Sequence, residues 1–179
     1  TYIISKDLLM SMVADGAAKG IYSFAKSILQ ARCNDYKIMA YKHEGYFSKI
    51  TDIKSYYNAN MALLDTDKRQ KLFPDNAPVY TKVRDNPPAK FAIGAKVKNS
   101  LIADGCIIEG TVENSILFRG AKVGKGSVVK DSIIMQDTVI GKNCVVDCVI
   151  TDKIVKITDR KILTGSANYP IYIGKGAEI

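Results

Sequence analysis

Residues Ile93 to Ile157 read IGAKVKNSLIADGCIIEGTVENSILFRGAKVGKGSVVKDSIIMQDTVIGKNCVVDCVITDKIVKI. A short phrase recurs in this stretch as NSLI, NSIL, DSII and DCVI. Its second letters fall at Ser100, Ser115, Ser132 and Cys148, at intervals of 15, 17 and 16 residues. A faster beat runs inside the slow one. Large aliphatics sit six residues apart at Ile102 and Ile108, at Leu117, Val123 and Val129, and at Ile134, Ile140 and Val146. Four residues after many of them comes a small side chain: Cys106, Ala121, Ser127, Thr138 and Cys144. One large and one small inward residue per six is the mark of a parallel β-helix, in which three hexads close one triangular coil of about eighteen residues. Observed intervals of 15 to 17 predict slightly trimmed corners. Gly94, Gly105, Gly124 and Gly141 are expected in turns where a positive φ costs little. An amphipathic helix would need apolar recurrence near 3.6 and fewer glycines and β-branched residues.

Working outward, the 13 residues TDRKILTGSANYP interrupt the beat after Ile157 and predict an irregular segment. IYIGKGAEI resumes it, with Ile173-Gly174 echoing Ile140-Gly141, and predicts a last coil that caps the prism. Upstream, FPDNAPVYTKVRDNPP holds four of the chain's five prolines. Proline fixes φ and removes a donor, so this connector should be extended, with VYTKV able to pair as a strand.

Residues 1–72 have a different texture. Ser5 is placed to cap a helix over LLMSMVA that ends at Gly16 and Gly20. SFAKSILQA reads as a second helix with Phe24, Ile28 and Leu29 on one side. KIMAY and GYFSKI read as short strands separated by a turn at Glu44-Gly45. Thr51 or Asp52 should cap a further helix carrying Ile53, Tyr57, Asn60, Met61 and Leu64, and KRQKLF adds another turn. These few elements lack a sheet to cover, and about sixty such residues would be marginal alone. The expected organisation is therefore 1–72 as the end of a larger α/β domain, 73–90 as connector, and 91–179 as β-helix. A first residue other than Met fits a chain that begins inside a longer protein.

Composition removes several function classes. The net charge of +8 is spread as +3, +2 and +3 over residues 1–60, 61–90 and 91–179. Nucleic-acid binders gather the excess on one face or arm, so no nucleic-acid partner is expected. No apolar run approaches the roughly 18 residues of a membrane span, and the opening TYIISKDLL is not a signal peptide. The four cysteines form no CxxC pair, and the single histidine, His43, lies far from three of them, so no metal site is expected. Cys106 and Cys144 fill the small inward position and Cys148 replaces a serine at the start of a coil; reduced thiols without an export signal suggest the cytoplasm.

The ordered segments together resemble the carboxyl-terminal part of the ADP-glucose pyrophosphorylase (glucose-1-phosphate adenylyltransferase) family. YIISKDLL is similar to its strand followed by K-D-x-L. SFAKSIL stands where the family carries D-F-G-K-D-I-I, and GYFSKITDIKSYYNANMALL matches G-Y-W-x-D-V-G-T-I-x-S-Y-x-x-A-N-M-x-L-L. PPAKF, NSLIADGCIIEGTVENSIL and DSIIM match the opening of its β-helix. The resemblance implies a left-handed β-helix behind an α/β nucleotidyltransferase domain, an exception to the usual right-handed crossover. It also implies a parent reaction in which ATP and glucose 1-phosphate give ADP-glucose and pyrophosphate, with Mg²⁺ as the metal.

The departures from that pattern matter most. Aligning Gly45, Tyr46 and Phe47 on G-Y-W puts Lys49 at the Asp of the family's metal and sugar-phosphate site, Thr51 at its Gly and Asp52 at its Thr. Ser23, Ala25 and Ser27 replace Asp, Gly and Asp in the other motif, leaving Phe24 and Lys26. Nucleotidyl transfer depends on Mg²⁺ neutralising phosphate charge, and a lysine ammonium repels that ion. The chain resembles the degenerate, regulatory-type subunit of the family, expected to hold no cofactor of its own and to assemble with a catalytic subunit as a homo- or hetero-oligomer. The resemblance implies tetramers in which anionic sugar phosphates act where the β-helix meets the catalytic domain, and Arg119 and Lys122 on the second coil are the candidate effector residues. Two other readings follow from the repeat alone. A hexapeptide acyltransferase would need a general base, usually His, on a coil, and the coils have none. A purely structural oligomerisation module needs only faces and open ends to pair.

Overall fold

The computed structural model describes residues 2–21, 23–30 and 33–179. It divides into two compact units, residues 1–44 and 45–179.

In the first unit, helix α1 spans Lys6–Ala18. Ser5 stands at its N-cap in an extended conformation, but its side chain makes no capping bond. The helix runs through Gly16 and the chain turns at Gly20, whose φ is +65°. Phe24–Gln30 winds as a π-helix rather than an α-helix, a form found mostly in single turns. The Tyr2 and Phe24 rings meet edge to face, centroids 5.5 Å apart. Ala31 and the side chain of Ile28, expected in the second helix, lie outside the described residues.

The second unit is a parallel β-helix of the hexapeptide-repeat type, carrying helices on one side. Three five-stranded sheets, all parallel, form its faces. Face 1 holds Lys90–Phe91, Ile107–Ile108, Lys122–Val123, Val139–Ile140 and Lys156–Ile157. Face 2 holds Lys96–Lys98, Thr111–Glu113, Val128–Lys130, Val145–Asp147 and Ile162–Thr164. Face 3 holds Leu101–Ile102, Ile116–Leu117, Ile133–Ile134, Val149–Thr151 and Ile171–Ile173. Period-two alternation turns every second side chain inward. Ile108, Val112, Leu117, Val123, Val129, Ile134, Ile140 and Val146 pack inside, each at most 1% exposed. The small positions Cys106, Ala121, Ser127, Thr138 and Cys144 are fully buried, as the beat predicts.

Register corrects the phase of the fourth coil. Val97, Val112, Val129, Val146 and Leu163 pair in turn, in steps of 15, 17, 17 and 17. Asp147 therefore stacks on Lys130, and Ile150 on Ile133. Cys148 takes the place of Asp131 rather than of Ser132, and Val149 follows Ser132. The similarity of DCVI to DSII is off by one residue. Backbone shape marks the true column: Asn99, Asn114, Asp131 and Cys148 have φ of 44°, 44°, 44° and 52°. Asn and Asp tolerate this left-handed conformation best. The next column is a hydroxyl ladder. Ser100 Oγ accepts from Ser115 N–H, Ser115 Oγ from Ser132 N–H, and Ser132 Oγ from Val149 N–H.

Two glycines work differently from expectation. Gly94 and Gly105 have positive φ, but Gly124 and Gly141 do not. They are needed where coils touch: a Cβ on Gly124 would lie 2.5 Å from the Gly141 carbonyl oxygen, and one on Gly141 would strike the Asp159 carboxylate. Likewise the segment after Ile157 is more regular than its sequence suggests. Ile162–Thr164 is a full strand of face 2, and the irregular part is confined to residues 165–170, closed by a Ser166–Tyr169 bridge. The end of the chain begins one more rung, with Lys156 N–H donating to Ala177 O and Thr158 N–H to Ile179 O.

Residues 45–72, which the sequence groups with 1–44, belong to the same compact unit as the coils. Helix α2, Ile53–Met61, begins at Asp52 with a full capping box: Asp52 Oδ1 accepts Ser55 N–H at 2.6 Å, and the Ser55 hydroxyl oxygen accepts Asp52 N–H at 3.0 Å. A 3₁₀ turn, Ala62–Leu64, leads to α3, Thr66–Leu72, capped by Asp65. KIMAY, GYFSKI and VYTKV form no strands among the described residues. Sequence propensity alone does not make a strand, because each needs a neighbour to complete its ladder. Among the described residues, no helix is long and apolar enough to cross a membrane.

Candidate functional site

The outward column of face 3 decides where α2 sits. Leu101, Ile116, Ile133, Ile150 and Tyr172 stack rung upon rung and point away from the core. Outward positions are usually wet, yet Ile133 is 0% exposed because Tyr57 of α2 covers it and Ile150, with Tyr56, Met61 and Phe118 around them. The Tyr57 hydroxyl donates to the Asp131 carbonyl at 2.7 Å and reaches Cys148 Sγ at 3.9 Å. Burial, and then Cys148 and Asp131, push the Tyr57 phenol well above its ordinary value, so it remains a donor.

Asp131, Asp147 and Cys148 come together at that corner, their ligand atoms within 4.8 Å of one another. Such a trio is a set of donors a metal could use, and the sequence reading, which weighed only CxxC spacing and His43, missed it. Its chemistry argues for an anchor instead. Burial raises the Cys148 thiol, and a protonated thiol is a poor ligand.

Three positions carry the departure from the nucleotidyltransferase motif, and the structure gives them separate settings. Lys49 is exposed on the segment just before α2. Thr51 donates its N–H to the Ser55 hydroxyl at 2.9 Å. Asp52 is committed to the cap, and the Ser55 N–H, followed by its hydroxyl, holds the Asp52 carboxyl below the usual range. An open cleft of about 500 Å³ adjoins the cap, lined by Thr51, Asp52, Tyr56, Met135, Ile150 and Tyr172. The Tyr172 hydroxyl donates to Asp152 at its rim, 3.2 Å away. Of the three positions, Lys49 offers an exposed cation and Asp52 the one carboxylate, which accepts the Ser55 N–H.

Arg119 and Lys122 lie at and just after the corner leading from face 3 to face 1. Arg119 is half-buried and donates from its guanidinium to the Lys82 carbonyl at 3.3 Å, while its own carbonyl accepts Asp137 N–H. Lys122 is exposed on face 1. The structure adds what sequence proximity hid. Lys90, Ile107, Lys122, Val139 and Lys156 form one outward column of face 1, so a lysine occurs on every second rung. Lys156 is paired with Glu178 at 2.6 Å. Hexad phase, carried from Lys122 to Lys156, would have revealed the column.

Comparison with known proteins agrees with this architecture. Residues 87–166 match the family model described as GlmU-like, C-terminal hexapeptide. The glycogen biosynthesis protein GlgD of Bacillus subtilis (strain 168) is 40% identical over 175 residues, 98% of this chain and 51% of its own length. The glucose-1-phosphate adenylyltransferase of Bacillus mycoides (strain KBAB4) is 38% identical over 146 residues, 81% of this chain and 39% of its own. That of Bacillus anthracis matches with the same figures, 38% over 146 residues. The chain thus spans about half the length, or less, of the curated relatives it matches. Along nearly its whole length, the chain is related to the carboxyl-terminal part of the ADP-glucose pyrophosphorylase family, GlgD included.

Proposed function

We propose that this chain is the carboxyl-terminal portion of a glucose-1-phosphate adenylyltransferase subunit of glycogen biosynthesis, and that it serves assembly and allosteric regulation rather than catalysis. Lys49 carries the reading. It stands where the family's motif has the carboxylate that binds metal, and neither Thr51 nor Asp52 is free to replace it, since both are bound into the α2 cap. ATP and Mg²⁺ then belong to a catalytic subunit of the same family, the expected partner, in a cytoplasmic oligomer. The similarity to GlgD over 98% of the chain supports the same branch. An acyltransferase reading loses its support in the coils, which contain no histidine to act as base.

The regulatory part of the proposal rests on cations at the coil surface. Arg119 keeps guanidinium donors beyond the one given to Lys82, and Lys122 extends the same corner toward the lysine column. A phosphorylated sugar is the effector class this arrangement suits, because guanidinium and ammonium groups both bind phosphate oxygens. In the assembled enzyme, changing Arg119 and Lys122 together to Ala should abolish the effector response while leaving unstimulated ADP-glucose formation intact. An activation curve identical to that of the unaltered enzyme would refute the assignment.

A further inference from the structure

The outward side chains of face 2 carry an unusual order. One outward column reads Lys98, Glu113, Lys130, Asp147 and Thr164. Charges alternate along the first four rungs, and Lys130 meets Glu113 at 3.3 Å within the chain. The parallel column reads Lys96, Thr111, Val128, Val145 and Ile162, with Val145 38% and Ile162 74% exposed.

An alternating ladder with an even number of charges is antisymmetric: reversed, plus-minus-plus-minus becomes minus-plus-minus-plus. We propose that face 2 is a two-fold interface with a second copy of this chain, in which Lys98 faces the second copy's Asp147 and Glu113 faces the second copy's Lys130. The axis runs along the strands between the rungs of Glu113 and Lys130. Such an axis reverses rung order while keeping each column opposite itself, so all four facing pairs are of opposite sign. Rungs are about 4.8 Å apart, and a slip by one rung sets Lys98 against Lys130, or Glu113 against Asp147. The ladder therefore selects one register and penalises its neighbours, which is how charge gives specificity. In that register the second column places Val128 against Thr111, and Val145 against the aliphatic stem of Lys96. Asp131, beside Asp147 at the corner, adds to the negative end of the ladder.

Five rungs by three residues give a face of roughly 24 by 10 Å, well below the roughly 800 Å² per partner of a standard interface. The association is weak, and salt screens it, since the Debye length is about 8 Å at physiological ionic strength.

Two single charge reversals test the pairing. Lys130→Glu and Glu113→Lys each place like charges opposite one another in a self-pair. A mixed pair of the two variants restores four opposite-sign contacts. Sedimentation velocity of the purified chain at low salt should show self-association that fades as salt rises. Each variant, shown to be folded by circular dichroism, should associate about tenfold more weakly, a loss of about 1.4 kcal/mol. An equimolar mixture should return to near the unaltered chain. A chain that stays monomeric at low salt, variants that associate as well as the original, or a mixture no stronger than its components would each overturn the interface.

Discussion

Face 3 and face 1 of the prism are both lined inside mainly by aliphatic side chains and differ most in what they turn outward. On face 3 the outward column is Leu101, Ile116, Ile133, Ile150 and Tyr172, and a helix lies upon it. On face 1 every second residue of the column is a lysine, and Val139 is 38% exposed. The coil is a neutral frame, because any inward aliphatic set at six-residue spacing builds it. Its outward residues decide which face binds the rest of the unit and which remains available. On the proposed function, that division separates stability from regulation.

Placing a charge on each face is the harshest way to break the comparison. Ile133→Lys buries an ammonium beneath Tyr57, with no partner, and should cost more than about 3 kcal/mol in denaturant unfolding. Val139→Lys, at an outward position of face 1, should stay within about 0.5 kcal/mol. Equal effects would show that α2 does not seal face 3. A smaller loss is expected in the hydroxyl ladder. Ser132 is fully buried and bridges Lys130 O and Val149 N–H; Ser132→Ala leaves both without that partner, for about 1–3 kcal/mol. Unfolding unchanged by this substitution would mean the neighbouring rungs satisfy those groups themselves.

Tyr57→Phe sharpens the account of α2. Packing over Ile133 and Ile150 is kept and only the hydroxyl's contacts with Asp131 O and Cys148 Sγ are lost, so the expected cost is about 1 kcal/mol. A loss as large as that of Tyr57→Ala would assign the anchor to the hydroxyl rather than to the ring. The smallest effect is the pH dependence of the α2 cap. The Asp52 carboxyl is held below its usual range in the folded chain. Its contribution is therefore complete above the unfolded value near 3.9 and is lost as pH falls through the lower, folded value. Amide exchange at Ser55 should accelerate only in that acid window, and the Asp52→Ala variant should exchange fast at every pH.

The inward half of the structure was legible because its chemistry is periodic. Ile108, Leu117, Val123 and their small companions Cys106, Ala121 and Ser127 are where the six-residue beat puts them. Cys148 was misplaced because two letters, Asp and Cys, resembled the Asp-Ser of an earlier coil, whereas backbone register depends on inward side chains and not on the look of a corner. The anchor formed by Tyr57 was invisible for another reason: it joins residues 74 positions apart, from a helix whose spacing predicts an apolar stripe but not the face it meets. KIMAY and GYFSKI show the limit of propensity, since their β-favouring residues form no ladder among the described residues. The position of Lys49 was readable from the motif alone. What the structure adds is that Thr51 and Asp52 are both bonded to Ser55 at the start of α2.

The most direct test of the regulatory reading is ADP-glucose formation by the full-length subunit, purified free of any catalytic partner and assayed with ATP, glucose 1-phosphate and Mg²⁺. The account predicts negligible product from this subunit alone and, on mixing, a changed rate or effector response of the catalytic partner. Sustained turnover by the isolated subunit would contradict it, because Lys49 would then be compatible with the chemistry it is argued to prevent.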